Sequence, residues 1–191
     1  MTELVLVPAQ TALVVIDLQA GILGRQAAPH SAPDVLARCA ELCERFRRAG
    51  GSVVLVRVSF ASNFADALAQ PTDAGPMGGA RPAGWDVLSP ELRRDDRDII
   101  ITKHQWGAFY GTELDLQLRR RGISTIVLAG IATNFGVEST ARDAYERGYA
   151  LVFAEDAMTG LEAHAHEFAV RTIFPRIGRV RSARDVLAAL A

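Results

Sequence analysis

Apolar runs of strand length recur along this chain with helical patterns between them, and that alternation constrains the fold more than any other feature. The runs are ALVVIDL at 12–18, SVVLVRV at 52–58, DIIIT at 98–102, STIVLA at 124–129 and ALVFA at 150–154. Their Val, Ile and Leu residues are continuous rather than alternating, the pattern of strands covered on both faces. The intervening stretches carry helix punctuation. Segment 33–49 opens on Pro33 and closes at Gly50 and Gly51, 112–121 opens on Thr112 and closes at Gly122, 134–147 closes at Gly148, 161–173 stops before Pro175, and Ser182 opens a last helix. Strand and helix in alternation predict an α/β fold of three layers, α/β/α, with a doubly wound, mainly parallel sheet. GRVR at 178–181 supplies a short sixth strand at the edge.

With 191 residues, 49% of them hydrophobic, the chain is expected to form a single domain over 1–191 with a substantial core. The stretch from about 60 to 90 breaks the rhythm. Its QPTDAGPMGGARPAGWDVLSP is dense in Gly and Pro yet keeps Trp85, which reads as a lid or interface loop rather than a linker. A net charge of -1 gives no nucleic-acid footprint. The longest apolar runs are strand-sized, which excludes a membrane span, and MTELVLVPAQ has no signal-peptide pattern, so a cytoplasmic protein is expected.

Cys39 and Cys43 lie four apart in VLARCAELCERF and share one helix face, where two small buried residues are the expected reading. The histidines are His30, His104, His164 and His166, and the AHAH spacing of the last two turns them apart on a helix. No ligand cluster with metal spacing is visible, so neither a metal nor a cofactor is expected.

In open parallel sheets ligands bind beyond the carboxyl ends of the strands. The polar residues there are Asp17, Ser59, Lys103, the GIATN turn, and Glu155 with Asp156. A carboxylate inside VVIDLQ is costly to bury without a partner, and Lys103 is the obvious cation. Either residue alone reads equally well as an ordinary strand-end ion pair. GIATNFGVEST at 130–140 looks like a helix start directly behind a buried strand, where doubly wound enzymes mount nucleophiles, and the position for one holds Gly136.

Read together, VVIDLQ, ITKHQWGAFYGTELD and VLAGIATNFGVESTARDAYERGY resemble the isochorismatase-like hydrolases, a family that includes nicotinamidases, carbamoylsarcosine amidases and other cysteine hydrolases. The resemblance spans about residues 10 to 181. It implies the strand order 3-2-1-4-5-6, a cis peptide between Ile131 and Ala132, and an Asp-Lys-Cys triad whose matching positions are Asp17, Lys103 and Gly136. True isochorismatases also carry Gly there, but they typically read Ala-His-Ile-Gly-Cys where this chain reads TNFGVE. The Asp-x-His metal motif of nicotinamidases has no counterpart in VSFASNFADALAQ. Catalysis is thus assigned to Asp17, Lys103 and Gly136, and substrate binding to Trp106, Ala132, Thr133, Asn134 and Phe135. Trp85 and Phe109 are further apolar candidates, and Phe109 reads equally well as core.

Without a side chain at Gly136, a thioester path through that position cannot run. A glycine at a helix start leaves backbone donors for an anion, a carboxylate or an oxyanion. Glu138 reads as a helix-dipole residue paired with Arg142. The expected function is hydrolysis of a C–O or C–N bond in a small, anionic molecule, with Asp17 as general acid or base. The alternatives are a non-catalytic binding member of the family and a relocated thiol. Phe64, Leu68 and Trp85, with the habit of the family, suggest a homo-oligomer, a dimer or tetramer.

Overall fold

A computed structural model describes residues 3–75 and 81–190. Positions 76–80 of the expected 60–90 loop therefore lie outside the described residues. The sheet has the order β3-β2-β1-β4-β5-β6, with every neighbouring pair parallel. Its strands are β1 (Thr11–Ile16), β2 (Ser52–Val58), β3 (Ile99–Lys103), β4 (Thr125–Ile131), β5 (Ala150–Thr159) and β6 (Arg179–Arg181). Every residue of β1 is buried, as a central strand with helices on both faces requires.

The helices are α1 (Ala20–Leu23), α2 (Ala32–Ala49), α3 (Leu114–Arg120), α4 (Glu138–Glu146), α5 (Ala163–Phe168), α6 (Phe174–Ile177) and α7 (Ala183–Ala189). On one face of the sheet α2 and α7 bury Val35, Cys39, Leu42, Cys43, Phe46 and Val186. On the other, α3, α4 and α6 bury Leu114, Leu118, Ala141, Ala144 and Phe174. Ser31 caps α2 by accepting from Asp34 N–H, and Ser182 with Asp185 forms a capping box on α7.

Several boundaries differ from the sequence expectation. β1 ends at Ile16 rather than at 18, because Asp17 leaves the sheet with a φ of 53°. β5 continues past 154 to Thr159 through a register shift between Leu128 and Gly130, so Glu155 and Asp156 lie within the strand rather than beyond it. The helix expected at 134–147 begins with a π-helical turn, Thr133–Val137, before α4. Pro175 does not stop the helix before it. A π-helical turn, Ala169–Ile173, joins α5 to α6, and Pro175 sits in the first turn of α6, where its missing N–H costs no helical bond. Thr112 lies ahead of α3, its hydroxyl accepting from Leu114 N–H at 3.1 Å. α1 was not foreseen.

The later half of the 60–90 stretch docks on the body of the domain. Gly21 N–H donates to Trp85 O at 2.8 Å, Ala20 N–H to Val87 O at 3.0 Å and Ser89 N–H to Leu18 O at 2.9 Å. Trp85 is thereby fixed over the carboxyl end of β1.

At the point where the winding reverses, β4 passes β1 with Ile16 opposite Gly130. Gly130 has a φ of 112°, and a Cβ there would stand 2.5 Å from the Ile16 backbone nitrogen. Gly130→Ala is expected to lower unfolding free energy by at least about 3 kcal/mol, since it adds backbone strain to a clash with immobile main chain. The turn at Gly122, also at positive φ, has nothing within 4 Å of an added Cβ. Gly122→Ala should cost only ~1–2 kcal/mol. Urea denaturation of both variants checks the contrast.

Candidate active site

The reversal of winding brings three strand ends to one place. Asp17 follows β1, its N–H donating to Val56 O at 2.9 Å on the neighbouring strand. A non-glycine residue in the left-handed region costs about 1–3 kcal/mol and marks sites where geometry is imposed. Lys103 closes β3, one strand removed from β1, and its stem crosses the end of β2 to reach the carboxylate. Its Nζ donates to Asp17 Oδ2 at 2.8 Å and to Gln105 O at 3.0 Å. The side chains are only 2% and 9% exposed, which puts the pair beyond an ordinary surface ion pair.

The second oxygen of Asp17, Oδ1, is buried with no hydrogen-bond partner among the described residues. Burial raises the Asp17 pKa to about 6, even though the Lys103 ammonium pulls it down. Gln19, fully buried, braces this corner. Its amide donates to Val58 O and accepts from Val58 N–H, both at 2.9 Å.

Beyond β4 the chain turns through a cis peptide between Ile131 and Ala132, as the resemblance implied. Phe135 and Val137 N–H both donate to Ala132 O, at 3.1 and 3.2 Å. This turn presents Gly136 to Asp17. A Cβ built on Gly136 would lie 3.4 Å from Asp17 Oδ2 and 2.9 Å from the Ile16 Cγ2 methyl. The position is therefore not an open socket, because the Ile16 methyl already stands where a side chain would start.

A cavity of about 200 Å³ opens over these groups. Asp17, Lys103, Ile131, Ala132 and Gly136 line its floor. Trp106 and Phe135 meet edge to face with centroids 4.9 Å apart on one wall, and Phe60 stacks with Trp85 at 6.1 Å on another. Arg25 and Arg81 join the lining, Arg81 with its guanidinium 4.5 Å from the centre of the Trp85 ring.

Two of the expected substrate contacts lie outside the cavity lining. Thr133 is fully buried and hydrogen-bonds through its hydroxyl to His166 Nδ1 at 2.8 Å, behind the turn rather than in the cavity. Asn134 is not part of the lining either, and its buried Oδ1 has no partner among the described residues. The π-helical geometry of the turn carries both away while presenting Phe135 and Gly136. Phe109 is core, packed against Tyr149.

Cys39 and Cys43 are buried in α2 within the core, and burial raises both thiols, Cys43 to about 12. Neither lines the cavity, so the relocated thiol has no route to it. Glu138 pairs with Arg142 at 2.8 Å, as expected. His164 is exposed and His166 buried, so the two do turn apart.

Sequence reading missed Gln19, Arg25, Phe60, Arg81, Gln105 and Leu161. Of these only Gln19 and Gln105 carried a signal, through their places in VVIDLQ and ITKHQWGAFYGTELD. It also missed a cluster of His30, Glu155 and His166, whose members are too far apart in sequence for any spacing rule to join.

The isochorismatase domain family matches residues 11–185. The chain belongs to the isochorismatase family. It is 53% identical over 180 residues to the isochorismatase family protein YecD of Escherichia coli O157:H7, covering 94% of this chain and 96% of that one. An isochorismatase family protein from Burkholderia thailandensis superposes with a TM-score of 0.94 at 46% identity over 99% of both chains. The N-carbamoylsarcosine amidase of Thermoplasma acidophilum, 27% identical, superposes with a TM-score of 0.75 over 91% of this chain and 96% of its own. This is a family of hydrolases on one architecture, the six-stranded parallel sheet with the same strand order.

In this family member Lys103→Met tests how the pair is held. Loss of the ammonium removes what lowers the Asp17 pKa, so the folded-state value rises above about 6, away from its ordinary 3.8. A carboxyl whose folded pKa is raised contributes stability at low pH that is lost as pH climbs toward the folded value. The unfolding free energy of Lys103→Met from urea denaturation should fall below that of the wild type, with the gap widening from pH 5 to pH 8 to about 3–5 kcal/mol. A gap independent of pH would show that Lys103 does not set the ionisation of Asp17.

Proposed function

We propose that this protein hydrolyses a C–O or C–N bond in a small anionic molecule through Asp17 and Lys103, with no covalent nucleophile at Gly136. The supporting observation is the Asp17 carboxyl itself. It is buried in a cavity, one oxygen is held by Lys103 and the other is unpartnered, and its pKa of about 6 suits a group that exchanges protons near neutrality.

Above that pKa the ionised Asp17 takes a proton from water as its oxygen bonds to the scissile carbon. The same proton then passes from Asp17 to the departing oxygen or nitrogen as that bond breaks. Lys103 holds the carboxylate in place and faces the developing negative charge. With Phe135 and Val137 N–H engaged by Ala132 O, the N–H of Gly136, which lines the cavity, is the turn's candidate to receive that charge. In the cysteine hydrolases a thiol would start from Gly136, and here the Ile16 methyl lies in its path.

Arg25 and Arg81, with Lys103, support an anionic substrate. Neither arginine has a carboxylate at ion-pair distance among the described residues. A carboxylate on the substrate would answer that excess of positive charge, while Trp85, Phe60, Trp106 and Phe135 pack its apolar part. The chain is also read as a cytoplasmic homo-oligomer, a dimer or tetramer. Leu68, Trp106 and Tyr110 are 59%, 50% and 77% exposed beside the cavity, a surface that a second copy would cover. Among the described residues no helix is long and apolar enough to cross a membrane.

On a panel of small carboxylates bearing ester, amide, ureido or enol-ether bonds, turnover is expected with kcat/KM falling as pH drops below about 6. Asp17→Asn should lower kcat by at least ~100-fold, with the far-UV spectrum retained. A decline above pH 6 instead would make Asp17 a proton donor to substrate rather than a base. Tight binding with no turnover of any compound would leave a binding protein.

A further inference from the structure

Three side chains from distant parts of the sequence converge outside the cavity. His30 precedes α2, Glu155 lies in β5 and His166 in α5. Both imidazole Nε2 atoms reach the same carboxylate oxygen, His30 at 2.9 Å and His166 at 3.1 Å from Glu155 Oε1. The rings stand edge to face with centroids 5.6 Å apart. One nitrogen or oxygen from each residue lies within 4.8 Å of the others, so side-chain rotation would bring all three onto one ion at about 2.0–2.2 Å.

The surroundings fit a metal centre. Two imidazoles and one carboxylate form the ligand set of zinc sites that keep a further position open. A ligating imidazole usually engages a partner through its other nitrogen, which fixes the ring, and His166 Nδ1 meets Thr133 Oγ1 at 2.8 Å with both groups buried. A polar hollow of about 470 Å³ reaches Glu155 and His166 from the surface, lined also by Arg181, Ser182 and Asp185, and provides an approach for the ion and room for water on its open side. None of its lining residues lines the substrate cavity.

We propose that His30, Glu155 and His166 bind one divalent transition-metal ion of the zinc class, with Thr133 orienting His166 from behind. On binding, each ring carries its N–H on Nδ1 and turns its Nε2 lone pair to the ion, so both protons now directed at Glu155 are displaced. The ion then ties the segment ahead of α2 to β5 and α5. Through Thr133 it backs the turn that presents Ala132 and Gly136. It takes no part in the bond cleavage assigned to Asp17, and it stands whether or not that assignment holds.

The test uses the full chain, stripped with a chelator and titrated with zinc alone. Elemental analysis after desalting should give one zinc per chain. At about 100-fold excess over Kd the melting temperature should rise by roughly 5–10 °C. His30→Ala and Glu155→Gln should each weaken zinc binding by more than the ~10–100-fold typical for loss of an outer partner, and should lose the thermal shift. His164→Ala should keep both. Should either variant fail to fold, ring-nitrogen NMR on the wild type decides, because zinc must move the His30 and His166 signals and leave those of His104 and His164 in place. Substoichiometric zinc, a thermal shift that survives in both variants, or unmoved His30 and His166 signals would overturn the proposal.

Discussion

A buried ammonium needs a buried carboxylate, and in this protein the pair Lys103–Asp17 dictates much of what surrounds it. Its 2.8 Å contact spans two strand ends with β2 between them, so it is available only to a sheet ordered with β1 inside and β3 at the edge. To meet Lys103, Asp17 must leave β1 at once, in a left-handed conformation that few residues adopt. The crossing of β4 over that corner then leaves no room for a Cβ at Gly130. Gln19 takes up the backbone groups at the end of β2 that the departing chain would otherwise leave unpaired.

That frame also governs the space around Gly136. Around it stand the helix start behind β4, the cis peptide before it and the aromatic pair Trp106 and Phe135. The space itself is occupied, since the Ile16 methyl sits 2.9 Å from where a Cβ would begin. Ile16 belongs to a fully buried strand and cannot retreat freely. The corner is thus packed around glycine, and the proposed function rests on the carboxyl that burial has tuned to about 6.

Much of this was legible in the sequence because continuous apolar runs and their glycine and proline punctuation report backbone periodicity directly. The runs ending in Asp17 and Lys103 gave the strands and the ion pair, and the three family-like blocks gave the strand order. What escaped depends on geometry that local pattern does not carry. The bulge that lengthens β5, and the π-helical turn that swings Thr133 and Asn134 away from the cavity, change direction without changing hydrophobicity. Pro175 misled because its cost depends on whether the preceding helical register has already broken. Arg25 and Arg81 come from loops whose path no periodicity predicts, and His30, Glu155 and His166 meet only after the chain has folded.

Whether Asp17 moves protons or attacks carbon is the point on which the whole account turns. Single turnover in ¹⁸O-labelled water, with enzyme in excess over a compound that is hydrolysed, followed by mass spectrometry of the product and of the peptide containing Asp17, tests it directly. Direct attack by water places the label in the product and leaves the Asp17 carboxyl unlabelled, which is the predicted result. Label in Asp17, or an intact-protein mass raised by the acyl or glycosyl-like fragment of the substrate, would reveal a covalent intermediate and contradict the account.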